Sequence, residues 1–140
     1  MSRCGFSGLI VIAALALACA RDARPRWVTV SGADAPGRVE VDVNRVTPVG
    51  GGVADVWFRQ TYATPHKLPT GGVSTAAETH YRVSCADHRL AMLEMTGYSS
   101  DGQQLFSGNW PFDNSRWATP DSASSAGVGM RGYCRTVATR

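Results

Sequence analysis

Residues 38 to 44, Arg-Val-Glu-Val-Asp-Val-Asn, alternate polar and apolar side chains without a break, the period of a strand that buries one face. The same reading along the chain gives a short first strand at Trp27–Val30 and a third at Val53–Tyr62, rich in aromatic and β-branched residues. Ser74–Cys85 reads as a fourth, with Tyr81, Val83 and Cys85 on one face and His80, Arg82 and Ser84 on the other. Arg89–Tyr98 and Gln103–Trp110 complete the set, joined by a hairpin turn that ends in the favourable pair Asp101-Gly102. Pro48 and Gly50-Gly51-Gly52 predict a turn, and Thr64–Gly72, with two prolines and two glycines, an exposed loop.

Beyond Trp110 the pattern changes. Trp110 to Trp117 is an aromatic loop, and Thr119-Pro120-Asp121 reads as a helix start, with Thr119 as N-cap and Pro120 in the first helical position. The segment that follows is a poor helix by propensity, because Gly127, Gly129 and Gly132 each cost about 1 kcal/mol against alanine. Packing and a covalent tie must therefore hold it. The expected fold is α+β and mostly β: an antiparallel meander of about six strands with a C-terminal helix tied by one disulfide.

The N-terminus reads differently again. Arg3 precedes an apolar stretch, Phe6 to Cys19, that is shorter than the roughly 20 residues of a membrane span and ends in small residues before a charged run. Residues 1–20 thus read as a secretory signal peptide, 21–26 as a short tether and 27–140 as the domain. Ala18-Cys19-Ala20 fits cleavage after Ala20. Ala16-Leu17-Ala18-Cys19 resembles a lipobox, in which cleavage before Cys19 leaves that cysteine as the lipidated first residue. Export changes the cysteine count: Cys4 leaves with the leader and Cys19 is lipidated or lost. Cys85 and Cys134 remain, an even pair that reads as one disulfide in an oxidising compartment. It closes a loop of about 50 residues, worth about 4 kcal/mol in the chain-entropy model.

Charge narrows the partners little. The 14 basic and 11 acidic side chains are scattered, with no basic run of the kind that binds nucleic acid, and Lys67 is the only lysine. Catalytic readings are weak. Cys85, Asp87 and His88 have the spacing of a nucleophile and its base, but a cysteine partnered in a disulfide supplies no thiolate. His80 and Cys85 fall on opposite strand faces and do not converge on a metal. No G-x-S-x-G elbow is present, and the carboxylates Asp87 and Glu94 carry no glycosidase signature. No enzyme, metal or cofactor is expected. Two stretches are candidate binding surfaces. One is Trp110, Phe112, Arg116 and Trp117, residue types that anchor interfaces, with cover for the sheet as the rival role. The other is His66 and Lys67 in the Pro/Gly loop.

One family resemblance joins these features. The leader ending near Cys19, then Trp27, Val41-Asp42 and Val56-Trp57, lead to Tyr81-Arg82-Val83-Ser84-Cys85-Ala86. Tyr98 before a glycine turn, Trp117-Ala118-Thr119-Pro120-Asp121-Ser122 and a late Cys134 complete the order. In that order the chain resembles the surface-adhesin E-like family of small bacterial envelope proteins, over nearly all of 27–140. The resemblance implies an antiparallel sheet with a disulfide-tied C-terminal helix. It also implies a non-enzymatic protein at the outer membrane or cell surface that binds an extracellular-matrix or envelope protein through exposed loops. A lipid on Cys19 would supply the membrane contact, and cleavage after Ala20 would leave a periplasmic or secreted domain. The alternative function is a periplasmic structural or accessory subunit of an envelope assembly.

Overall fold

The computed structural model describes residues 24–33 and 35–138. The leader, Cys19 and the first part of the tether lie outside the described residues.

Seven strands form one antiparallel sheet: β1 (Trp27–Thr29), β2 (Gly37–Asp42), β3 (Thr47–Gly50), β4 (Val53–Lys67), β5 (Val73–Ser84), β6 (Arg89–Tyr98) and β7 (Gln104–Asn109). The spatial order is β1-β2-β4-β5-β6-β7, with β3 paired to β4 alongside β2. Among the described residues one α-helix, α1 (Ser125–Thr136), packs across one face. The fold is therefore the expected one, mostly β with a C-terminal helix, and the Cys85–Cys134 disulfide joins the end of β5 to that helix across a Cα–Cα distance of 5.6 Å.

Period-two alternation decides which side chains meet the helix. Val41, Ala54, Val56, Phe58, Tyr81, Val83 and Leu90 point inward and meet Met130 and Tyr133 of α1 in one cluster. Burial pushes the Tyr81 hydroxyl pKa up to about 12, so that phenol stays neutral at any physiological pH.

Local structure departs from the sequence expectations at four points. Thr47–Gly50 forms β3 where a turn was expected, since Pro48 sits on an edge strand that asks nothing of its missing N–H. β2 stops at Asp42, because the Asp42 carboxylate accepts the Asn44 N–H at 3.0 Å and turns the chain. The first part of the expected loop at 64–72 is strand: β4 continues to Lys67 through a bulge between Thr61 and His66 that accommodates Pro65, leaving Leu68–Gly72 as the turn. The helix begins at Ser125, not after Thr119. Asp121 instead shapes a turn, accepting the Ala123 N–H, and Ser124 takes the cap by accepting the Gly127 N–H at 3.1 Å.

The glycines that weaken α1 as an isolated helix let it lie close to the sheet. A Cβ on Gly129 would stand 2.9 Å from Phe58 Cδ2, and one on Gly132 would stand 2.5 Å from Val30 Cβ. Close approach thus replaces intrinsic propensity as what holds the helix.

Candidate binding surfaces

The helix covers only one face. On the other face the alternation places Asp42 on β2, Trp57 and Arg59 on β4, and Glu78, His80 and Arg82 on β5, with Trp27 opposite Asp42. Their side chains form a chain of stacked contacts. Arg59 lies 4.5 Å above Trp27, Arg45 lies 5.4 Å from Trp27 and 4.6 Å from Trp57, and His80 stacks on Trp57 at 4.6 Å and 7°. Each cation is also answered by a carboxylate. Arg59 pairs with Glu40 at 2.8 Å, Arg82 pairs with Asp55 through two bonds of 2.8 and 2.9 Å, and Arg45 pairs with Asp42. Such partly exposed cation–π contacts contribute about 0.5–1 kcal/mol each and cover the sheet in place of a second apolar layer.

Asp42 is 0% exposed and accepts backbone N–H groups from Arg26 and Asn44 besides its contact with Arg45. Burial pushes its carboxyl up, but Arg45 and the two N–H donors outweigh that and hold it below the ordinary aspartate value. Burial depresses His80 below the ordinary histidine value, against the pull of Asp55 and Glu94 and with Arg82 and Arg45 adding to the depression. Both shifts make the fold acid-sensitive. Asp42 stabilises the fold above its unfolded pKa of about 3.9, and that contribution is lost as pH falls through the lower folded value. The unfolded chain takes up a proton at His80 below about pH 6.5 while the folded chain resists it, so stability falls from there down to the folded pKa. The urea midpoint should therefore drop between pH 7 and pH 5, and His80→Gln should flatten that part of the profile while leaving the steeper loss at lower pH.

The residues expected to form binding surfaces separate into three places. His66 and Lys67 lie exposed near the tip of the β4–β5 hairpin, with His66 stacked on Tyr62 at 4.1 Å. β2 pairs with β4 only as far as Tyr62 and β6 with β5 only as far as Ala76, so beyond them β4 and β5 pair only with each other as a two-stranded arm. The β5 side of the arm stays against the sheet, where Ser74 is buried and bonds Tyr98 O at 3.3 Å and Gly72 lies beside Leu105. Phe112 and Trp117 meet edge to face at 5.6 Å at the other end of β5, where Arg82 caps Phe112 and Arg89 lies 5.7 Å from Trp117. Trp110 does not join them. Its ring lies on Gly108, and its N–H bonds Leu93 O at 2.8 Å. Arg116 pairs with Asp113 at 3.5 Å on an exposed turn. The stacked face built on Trp27, Trp57 and His80 escaped the sequence reading. Its one signal was the outward parity of Trp57 and His80 on adjacent strands, and the pairing that places them side by side is not written in either strand alone.

Around Cys85 the structure holds turn chemistry. Asp87 accepts the Ser84 hydroxyl at 2.9 Å, and His88 takes a left-handed φ of 52°. Among the described residues there is no cluster of three metal-ligating side chains, and no helix is long and apolar enough to cross a membrane.

A sequence model of the family described as surface-adhesin protein E matches residues 27–135, from the start of β1 to the last turn of α1 and including both disulfide cysteines. The chain belongs to that family. Membership in the surface-adhesin protein E family supports an adhesin role in general terms, and with it a non-enzymatic protein exported to the cell surface. No curated protein and no solved structure matches the chain.

Proposed function

We propose that this surface-adhesin E protein binds a host or extracellular macromolecule through the β4–β5 arm, standing on the cell envelope by its N-terminal tether, with Cys19 lipidated. The observation that supports this reading is the opposition of tether and arm. Residues 24–26 are held at one end of the sheet, where Arg26 N–H bonds Asp42 and Arg24 O accepts from the Asn44 side chain. That end also carries the β5–β6 turn and the Phe112–Trp117 pair. The arm leaves the opposite end, nine residues along β4 from Trp57, on the order of 30 Å away. A chain held by its N-terminus would present His66 and Lys67 outward and keep the aromatic loop near the envelope.

Lys67 gives a direct test because it is the only lysine. A membrane-impermeant amine reagent on intact cells is expected to label Lys67, and a lysine-specific protease to cut the chain once, within the arm. A joint His66→Ala and Lys67→Ala change is expected to lower attachment to matrix-coated surfaces by about tenfold, the loss of one interface anchor, with an unchanged melting temperature. Labelling seen only after permeabilisation would sink the adhesin reading in favour of a periplasmic accessory subunit.

A further inference from the structure

The edges of the sheet are unequally protected. Unpaired edge strands are templates for pairing with another chain, and proteins blunt them with proline, charge, bulges or shortness. On one side β1 is three residues long and follows Pro25-Arg26, and β3 is four residues long and carries Pro48. The overhang of β4 carries a bulge, Pro65 and Lys67. The other side ends on β7, Gln104-Leu105-Phe106-Ser107-Gly108-Asn109, which has no proline and no charged residue. From Phe106 to Asn109 its pairing with Gly97 to Glu94 is regular.

The free groups on this edge can be assigned. Trp110 N–H points inward to Leu93 O, so strand alternation turns the backbone groups of Gly108 and Phe106 inward as well. The N–H and C=O of Ser107 and Asn109 therefore face outward. Both residues are exposed, and among the described residues no backbone group meets them from outside. The aromatic side chains leave the edge clear. Phe106 leans over Gly97, where a Cβ would stand 2.0 Å from its ring, and Trp110 folds back over Gly108, where a Cβ would stand 2.5 Å from its ring. Their rings make an apolar floor on the helix side of the edge, while Ser107 and Asn109 line the opposite side.

We propose that β7 is a strand-addition site for an extended peptide segment of a partner protein. Four outward backbone groups bond the peptide main chain, and its alternate side chains rest on the Phe106 and Trp110 rings or beside Ser107 and Asn109. The occupant is a polypeptide because outward N–H and C=O groups at strand spacing match an extended backbone and nothing else of similar regularity. This site is separate from the β4–β5 arm and stands or falls independently of it.

The test uses short peptides selected from a random library against the full chain. Ser107→Pro removes an outward donor and fills the edge while leaving the bonds to β6 in place, since proline is tolerated on an edge when its N side faces solvent. Asn109→Lys adds a guard charge without any backbone change. The expected result is that selected peptides lose about tenfold or more in affinity with either variant and slow amide exchange at Ser107 and Asn109. The unbound variants should melt at the wild-type temperature. Peptides indifferent to both variants, protection elsewhere, or an empty selection would overturn the site. So would protection of Ser107 and Asn109 by the chain itself on concentration, which would mean that a second copy takes the edge.

Discussion

Replacing Cys85 and Cys134 together with alanine is expected to lower the unfolding free energy by about 4 kcal/mol, the conformational entropy that the denatured chain regains when a loop of about 50 residues is opened. For a domain of this size that corresponds to a fall in melting temperature on the order of 10–20 °C. The size follows from position. The bond spans 49 residues of sequence and joins the end of a central strand to the third turn of α1, so the reduced chain regains the freedom of β6, β7, the aromatic loop and the helix at once. The native contacts of α1 do not vanish with the bond, because Met130 and Tyr133 stay buried against Val41, Val56 and Leu90. The variant should accordingly keep its helix at low temperature and melt in one transition. Thermal melts followed by circular dichroism, with and without reductant on the wild type, check this. A melting temperature within a few degrees of wild type would show that the loop was already constrained in the denatured chain.

That bond was legible in the sequence because reading residues 1–20 as an export leader implies an oxidising compartment and leaves Cys85 and Cys134 as an even pair. The strands were legible for a similar reason: alternation such as Val39-Glu40-Val41-Asp42 states which face is buried without reference to any partner. Pairing between strands was not. Trp57 and His80 are far apart in sequence and become neighbours only through the β4–β5 register, so the stacked face had no local signature. Residues 64–67 were misread because proline and glycine mark turns by composition, whereas a bulged edge tolerates Pro65 inside a strand. The position of the helix start was misread because both Thr119 and Ser124 are competent caps, and the choice is made by where Gly129 and Gly132 must sit against Phe58 and Val30 and by the close fit of Gly127 on the Asp121 carbonyl. The exposed sites His66 and Lys67 could be named from sequence, but their placement opposite the tether is a property of the sheet as a whole.

Gly132→Ala is expected to destabilise the fold by about 1–2 kcal/mol, although alanine is the better helix former. Propensity alone predicts a gain of about 1 kcal/mol. Against it stands the contact a methyl would make: 2.5 Å from Val30 Cβ, 2.9 Å from Val30 Cγ2 and 2.9 Å from the Val30 carbonyl oxygen. The last of these is backbone, so a rotamer change at Val30 cannot clear it, and either β1 or the helix must shift. Overpacking of this kind costs about 1–3 kcal/mol, and a shift of α1 also disturbs the burial of Tyr133, its neighbour in the core. Val30→Ala should restore part of the loss when combined with Gly132→Ala, giving a coupling of about 0.5 kcal/mol or more in a double-mutant cycle. The remainder should persist, because the carbonyl stays. Gly32→Ala is the control. Its Cβ would meet nothing within 4 Å, so its effect should stay within about 0.5 kcal/mol. If urea unfolding instead shows Gly132→Ala to be stabilising, then α1 is not seated on Val30 in solution, and helix propensity rather than close approach governs that end of the fold.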